Sequence, residues 1–402
     1  MHRAAAFLLR PALLALALAD SSASAFGVQV CELNGQPVNP NNGSTTAGKI
    51  GLMRCHEGEG GPIVREQELQ QGKFMGIVRY FKDGAVEKEF RVNERGNRDG
   101  PAREWATGEA GKHVLVREET ERDGSTIGLA RSWYPSGVLR RVTFYGDDAR
   151  EQAYAEFTMQ GQLYELRCAP QPVLGKDFDD RAACGFAGAA SSVVLYSGKG
   201  QPHARVSFER GERQKSETLW DSGSVRDVQE ATSSGGTDKS FAADDTLRHE
   251  VQWVGIGNGR SVRVTTLDRE FHESGKLIRE RKWRPAERGA EPVSESLWYL
   301  NGQPKAQTDY VTDNDRTLRR QVEFHDNGKK SFEGSWVVGA RGGGDETATG
   351  THRSFDAEGR LRAERIYDER GRIKHEREID ERGNVVRDDE VFEDGSRKAV
   401  GR

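Results

Sequence analysis

The chain has 402 residues, of which 35% are hydrophobic and 31% are charged, and its 60 lysines and arginines nearly balance 64 aspartates and glutamates. Such a mixed charge excludes the basic footprint of a nucleic-acid-binding protein. The hydrophobic fraction is low for a compact body of this length, whereas 7 Trp, 9 Tyr and 16 Phe argue against disorder. We therefore expect an elongated fold with much surface and little interior.

Residues 1–25 are predicted to be a secretory signal peptide. Arg3 and Arg10 supply its positive charge, residues 12–19 form an apolar run, and Ala23-Ser24-Ala25 is a small-x-small cleavage site. Retention as a membrane anchor is the alternative, but a helical run of that length spans only about 12 Å of a hydrocarbon core of about 30 Å. No later stretch is apolar enough to cross a membrane. We expect an exported protein, periplasmic or secreted.

Two segments that carry cysteines lack the repeat described below. Residues 26–71 are interpreted as an N-terminal cap, and residues 167–190 as an insertion between two blocks of sheet. The cysteines are Cys31, Cys55, Cys168 and Cys184. An even count in an exported chain implies disulfides, and of the three possible pairings the local one, Cys31 with Cys55 and Cys168 with Cys184, is the simplest. Zinc is the alternative, but no C-x-x-C or H-x-x-x-H spacing accompanies these cysteines. We expect no metal site.

Glycines at regular intervals predict an all-β fold, an elongated antiparallel meander of β-hairpin repeats with about 12 residues per strand-turn unit. The first block covers residues 72–166, the second 191–338, and 12-residue repeats fill residues 351–402. The turn glycines are Gly84, Gly137, Gly161, Gly200, Gly223, Gly275, Gly302, Gly328, Gly359, Gly371, Gly383 and Gly395. An apolar residue stands four positions before each: Tyr80, Trp133, Phe157, Tyr196, Leu219, Phe271, Trp298, Phe324, Phe355, Tyr367, Ile379 and Val391. By composition, residues 227–246 and 339–350 are predicted to be flexible loops.

The spacing of these residues has a physical explanation. A tight turn needs a residue at positive φ, which glycine adopts without strain, and a type I turn with a glycine bulge joins antiparallel strands at the right twist. The residue four before the glycine then faces the residue two after it across the hairpin. We expect the nine aromatic residues of that set to form a ladder along one face of the sheet. The charged residues between them are expected to face solvent or line edges.

At these residues the chain resembles the bacterial variant of the MORN repeat. The segment Asn327-Gly-Lys-Lys-Ser-Phe-Glu-Gly-Ser-Trp336 carries the resemblance most fully, and residues 98–105, 133–137 and 298–302 follow the same pattern of aromatic pair, turn and glycine. Many units lack the second aromatic residue or the closing glycine, and the last fifty residues also resemble YD-type repeats of bacterial surface proteins. Some members of the MORN-variant family are described as antitoxins, so the resemblance implies a protein-binding role.

Candidate chemistry is sparse in the sequence. His272 and His325 occupy the same repeat position, three before a turn glycine, which indicates either a shared binding role or a second aromatic slot filled elsewhere by Phe81, Tyr134, Trp220 and Tyr299. We favour the aromatic slot. No G-x-S-x-G or H-E-x-x-H motif occurs. The sequence therefore predicts no catalytic residues, no cofactor and no enzyme.

The functional expectation is a binding or scaffolding protein of the cell envelope whose partner is another protein. An antitoxin or immunity role is a special case of that function. The first alternative is a structural envelope module that contacts lipid or peptidoglycan. The second is an enzyme with its site in the inserted segments.

Overall fold

A computed structural model describes residues 29–108, 111–256, 262–286, 289–313, 316–339 and 346–400. Nearly all regular structure in these residues is β-strand, and neighbouring strands pair antiparallel, so the predicted all-β meander of hairpins is confirmed. The chain divides into two compact units after Thr126, a boundary that falls inside the predicted first repeat block. The predicted signal peptide lies outside the described residues and stays a prediction.

The first unit is a meander of eight strands. They are β1 (Gln29–Leu33), β2 (Gln36–Val38), β3 (Gly51–Glu57), β4 (Ile63–Gln70), β5 (Lys73–Lys82), β6 (Ala85–Val92), β7 (Gly100–Thr107) and β8 (His113–Arg122). Their order is β8-β7-β6-β5-β4-β3-β1-β2. The first two strands form a hairpin whose β1 pairs with β3, so the predicted cap belongs to the same sheet as the strands that follow it.

The second unit begins with four strands, β9 (Ser125–Trp133), β10 (Leu139–Tyr145), β11 (Glu151–Phe157) and β12 (Leu163–Arg167), paired in chain order. A one-turn helix, α1 (Asp180–Ala183), lies in the insertion. A sheet of 17 strands follows in strict chain order, and its linear order leaves it open. Its strands are β13 (Val193–Tyr196), β14 (Pro202–Glu209), β15 (Glu212–Leu219), β16 (Val225–Ala231), β17 (Gly235–Phe241), β18 (Leu247–Ile256), β19 (Val262–Phe271), β20 (Leu277–Ala286), β21 (Gly289–Trp298), β22 (Pro304–Asp313), β23 (Arg316–Phe324), β24 (Lys330–Val338), β25 (Glu346–Phe355), β26 (Leu361–Tyr367), β27 (Ile373–Ile379), β28 (Val385–Val391) and β29 (Arg397–Ala399).

One five-residue turn recurs through the molecule. In residues 299–303 the Tyr299 N–H donates to the Gln303 carbonyl, and the Gly302 N–H donates back to the Tyr299 carbonyl, each at 2.9 Å. Gly302 has a φ of 89°, the left-handed conformation that a glycine bulge after a type I turn requires. The same two hydrogen bonds close the turns at 134–138, 158–162, 197–201, 220–224, 272–276, 325–329, 356–360, 368–372, 380–384 and 392–396.

The turn at Gly84 departs from this frame. Asp83 and Gly84 both have positive φ, 50° and 80°, so they form a two-residue turn that pairs Lys82 with Ala85, and the bulge lies further along the hairpin, between Tyr80 and Phe81. Tyr80 therefore lies opposite Lys88, and Phe81 lies opposite Val86. The expectation of a single positive-φ residue at this turn is wrong because Asp83, which tolerates the left-handed region, supplies the second one.

Two segments that composition marked as flexible are paired strands. Residues 225–231 and 235–241 form β16 and β17 within the 17-stranded sheet, which contradicts a loop at 227–246. Residues 346–350 belong to β25, while 340–345 lie outside the described residues. Glycine and aspartate are poor strand formers alone, but central positions between two neighbours give each of these strands two sets of backbone hydrogen bonds.

The buried core is concentrated at the two disulfides, whose predicted pairing is confirmed. Cys31–Cys55 joins directly opposed residues of β1 and β3 in a cluster with Met53 and Leu69. Cys168–Cys184 closes the insertion. Around it, one apolar cluster packs on β10 and β11 and a second on β13 and β14. The insertion therefore supplies the second unit with the interior that its single-layer sheets lack.

Candidate interaction surfaces

The residues four before the turn glycines form a column in the 17-stranded sheet. Side chains alternate between faces along a strand, and directly opposed residues share a face. By that register, eight residues lie on the same face, close to one edge of the sheet, and every second strand supplies one of them. They are Tyr196, Leu219, Phe241, Phe271, Trp298, Phe324, Phe355 and Ile379. All but Phe241, whose turn has Asp245 in place of the glycine, lie opposite the residue two after a turn glycine, as Phe271 lies opposite Leu277. The aromatic members are half-buried.

The remaining predicted aromatic residues lie elsewhere. Tyr367 is on the opposite face, where its ring centroid is 4.5 Å from that of His352, because its turn closes the other edge of the sheet. The placement of Tyr367 in the same ladder is therefore wrong. Trp133 and Phe157 share a face on β9 and β11, where Phe157 contacts Phe178 of the insertion. Tyr80 belongs to the first unit.

The second aromatic slot, three before the turn glycine, links successive hairpins. The Tyr299 hydroxyl donates to the Phe324 carbonyl at 2.9 Å, and Tyr134 donates to Phe157 at the same distance. Trp220 Nε1 donates to Phe241 in the same way. Each acceptor ends the strand that enters the next turn on that edge. In these three turns the slot holds an aromatic ring with a donor at its tip.

His325 fills this slot as an aromatic donor. Its Nε2 lies 3.1 Å from the Phe355 carbonyl, and since a carbonyl only accepts, Nε2 carries the proton. His272 instead hydrogen-bonds within its own turn, through Nδ1 and Ser274. The geometry thus favours the aromatic-slot interpretation for His325 and gives the two histidines no common partner.

Removing the hydroxyl of Tyr299 tests this link. We expect Tyr299→Phe to cost about 1 kcal/mol, because the Phe324 carbonyl loses its donor. Tyr196→Phe is the matched control, since in the described part of the chain the Tyr196 hydroxyl has no hydrogen-bond partner. Hydrogen exchange of the amides in β21 to β24 measures the effect. Equal exchange rates in the two variants would contradict a stabilising role for the slot.

Alternating charges form a ladder across the first unit. The row of directly opposed residues runs Glu32, Arg54, Glu66, Arg79, Glu89, Arg103 and Glu118, one from each of seven neighbouring strands. Arg79 is central to it: Nε lies 2.7 Å from Glu89 and Nη1 lies 3.6 Å from Glu66. The hydrogen bond that Arg79 donates to Glu89 is the main cause that raises the pKa of Arg79.

The 17-stranded sheet repeats this arrangement on the face of the aromatic column. One stretch of opposed residues reads Lys239, Glu250, Arg269 and Glu280. After three uncharged residues a second stretch reads Glu333, Arg353, Glu364, Arg377 and Asp388. Arg353 contacts Glu364 at 2.7 Å and Glu333 at 3.1 Å. Many of the charged side chains thus form cross-strand ion pairs, and each pair stabilises the fold by about a fraction of a kcal/mol.

On the opposite face of the 17-stranded sheet, Glu376 is the centre of a cluster of ion pairs. Its carboxylate contacts Arg365 at 2.8 Å and also meets Arg387 and Arg397. The hydrogen bond from Arg365 is the main cause that lowers the pKa of Glu376, while burial acts in the opposite direction. This carboxylate stays ionised under ordinary conditions and links its own strand, β27, to β26, β28 and β29.

A groove of about 750 Å³ opens on the first unit, with Glu66 and Arg79 of the charge ladder and Leu69 of the disulfide cluster in its lining. Its apolar lining includes Ile50, Leu52, Met75 and Ile77 from the ends of β3 and β5. Ile50 is 64% exposed, although isoleucine is among the residue types most often buried in folded proteins. The groove therefore exposes apolar side chains to solvent in a chain of which only 35% of the residues are hydrophobic.

The groove also departs from the charge pairing of its surroundings. Glu66 and Arg79 at its margin belong to the ladder, but Glu68 and Glu94 have no ion-pair partner among the described residues. Lys73, also at the margin, is likewise without an ion pair in the described ranges. Two carboxylates against one ammonium leave the groove with a net negative charge. A ligand with apolar and cationic groups is complementary to it.

The described residues contain no cluster of three or more His, Cys, Asp or Glu side chains arranged to hold a metal ion. Within the same residues, no helix has the length and apolarity required to span a bilayer. The two disulfides are compatible with an oxidising, exported environment.

The fold defines this chain as an all-β protein of antiparallel hairpin repeats. No protein-family model matches it, so the resemblance to MORN variants is not confirmed, and no curated protein matches it. Among solved structures, it aligns with TcdB2–TccC3–Cdc42 and with TcdB2–TccC3 without its hypervariable C-terminal region, each at 8% identity and a TM-score of 0.15 over 92% of this chain and 23% of that chain. A structure of TcdB2–TccC3 aligns at 10% identity and a TM-score of 0.14, over 87% of this chain and 22% of that chain. The chain thus spans less than a quarter of these proteins, and values this low carry no argument about fold, activity or partners.

Proposed function

We propose that this protein is an exported, non-catalytic repeat protein that binds another protein through the groove of its first unit. The observation that carries the proposal is the contrast within that unit. A seven-residue ladder of alternating charge runs across its strands, whereas the groove joins exposed Ile50 to the ion-pair-free carboxylates of Glu68 and Glu94. Exposed apolar surface beside uncompensated charge is typical of a binding site.

The occupant that fits is an extended segment of a partner protein in which apolar side chains stand next to a lysine or arginine. Its apolar side chains would cover Ile50 and Met75, and its cationic group would meet Glu68 or Glu94. An antitoxin or immunity function, which the resemblance to MORN variants suggests, is one form of such binding. Export, supported by the disulfides and by the predicted signal peptide, places the partner in the periplasm or outside the cell.

A photo-cross-linking residue at position 75 tests the proposal in the producing cell, with position 293 as a control on the second unit. The cross-linked protein is identified by mass spectrometry, purified, and titrated against the full chain. We expect Glu68→Lys/Glu94→Lys to weaken binding by at least about tenfold, and the weakening to shrink as salt screens the charges.

Glu369→Lys/Glu381→Lys is the matched control, because it changes the net charge equally at exposed turn residues of the second unit that have no ion pair in the described residues. This variant is expected to bind as the wild type does. Equal affinities of the two double variants for the purified partner would rule out the groove as the binding site.

A further inference from the structure

A second groove, of about 390 Å³, crosses β15 to β18 on the face of the 17-stranded sheet opposite the aromatic column. Two rows of polar side chains build it. The first row is Ser216, Gln229 and Asp238, and the second is Thr218, Asp227, Ser240 and His249, each residue directly opposite the next. Strand spacing makes the longer row roughly 14 Å across. Beside these seven the lining in the described chain includes Val228 and Lys239, whose ammonium is paired with Glu250 at 3.7 Å.

The charged groups of this groove are already compensated. Asp227 accepts hydrogen bonds from Thr218 at 2.7 Å and from Arg226 at 2.8 Å. Asp238 is paired with Arg263, an arginine that also stacks on a tryptophan ring. His249 Nε2 lies 2.8 Å from Asp268, which Arg281 contacts in turn. An ionic ligand would have to displace a partner that each of these groups already holds.

Three of the four uncharged polar side chains in these rows, in contrast, are uncommitted. The hydroxyls of Ser216 and Ser240 and the amide of Gln229 have no hydrogen-bond partner within the described parts of the chain. Each of these groups both donates and accepts, and the second carboxylate oxygens of Asp227 and Asp238 accept. The groove therefore offers a dense set of neutral donors and acceptors beside apolar surface of comparable extent, and no open charge for an ion.

We propose that this groove binds a neutral saccharide. A saccharide presents neighbouring hydroxyls that each donate and accept, which matches hydroxyl and amide groups repeated from strand to strand. The inference is independent of the protein-binding groove, because it rests on different residues in the other unit.

Screening the purified full chain against an array of neutral, sialylated and sulfated oligosaccharides tests the proposal, followed by NMR titration with the neutral oligosaccharide that binds best. We expect binding of neutral members, and a loss of affinity of roughly tenfold or more in Ser216→Ala/Ser240→Ala, because two ligand hydrogen bonds disappear. The melting temperature of this variant should be unchanged, since neither hydroxyl has a partner within the protein to lose.

Ser294→Ala/Ser296→Ala is the control. These serines belong to β21, and Ser296 lies in the charge-ladder row on the opposite face of the same sheet. The control is expected to bind as the wild type does. Three results would overturn the proposal: binding of charged saccharides only, no saccharide binding at all, or neutral binding that Ser216→Ala/Ser240→Ala leaves intact.

Discussion

Leu174→Ala is expected to destabilise the second unit by about 2–5 kcal/mol. Leu174 is completely buried, in a cluster with Val142, Ala153 and Ala155 from the strands beneath the insertion. Its backbone N–H donates to the buried carboxylate of Asp180 at 2.9 Å, which holds the segment in place and limits collapse around a cavity. The effect is large because this cluster is one of the few places where the second unit has an interior.

Urea unfolding combined with hydrogen exchange of β10 to β12 measures this change. Leu300→Ala is the control, because Leu300 is 49% exposed and its loss should alter stability by no more than about 0.5 kcal/mol. If Leu174→Ala and Leu300→Ala unfold at the same urea concentration, the insertion does not contribute a core. In that case the stability of the second unit would come from strand pairing alone.

Acidification is expected to abolish the contribution of Glu376. At pH 7 we expect Glu376→Gln to cost about 1.5–3 kcal/mol, since three arginines lose their shared anion. The hydrogen bond from Arg365 lowers the folded-state pKa of this carboxyl below its ordinary value of 4.5. Stability from a lowered pKa is present above the unfolded value and disappears as the pH falls through the folded value. The difference between wild type and variant should therefore narrow below pH 4.5 and vanish in stronger acid.

Urea unfolding at a series of pH values, followed by tryptophan fluorescence, provides the measurement. Glu381→Gln is the control, because Glu381 is exposed and has no ion-pair partner among the residues described. The control should match the wild type at every pH. A Glu376→Gln deficit that persists undiminished in strong acid would mean that the variant disturbs packing rather than an ion pair.

The turns and the strand-turn period could be predicted because both depend on local backbone geometry. A glycine at positive φ, as at Gly302, is needed wherever a bulge closes a type I turn, so its spacing reports the strand length directly. The disulfides were predictable for a similar reason, since each joins cysteines close in sequence. The loop predicted at 227–246 failed because composition measures intrinsic preference, and a central strand is stabilised by its two neighbours.

The charge ladders were missed, although the sequence contains a signal for them. Arg353 and Glu364 flank the turn at 356–360, and Arg377 and Asp388 flank the turn at 380–384, so opposite charges stand at matching distances from a turn. Turning that pattern into a ladder requires the register, including the bulge at each turn, because a shift of one residue moves every side chain to the other face.

The sequence by itself determined the strand-turn unit, the antiparallel order of strands and the covalent links, since each arises from residues near one another in the chain. Only the tertiary structure decided which face each side chain occupies, where charges lie unpaired and where grooves open. Those features depend on neighbours brought together across several strands and on the twist of each sheet. For that reason Ile50 with Glu94, and Ser216 with Ser240, come together as candidate sites only after folding.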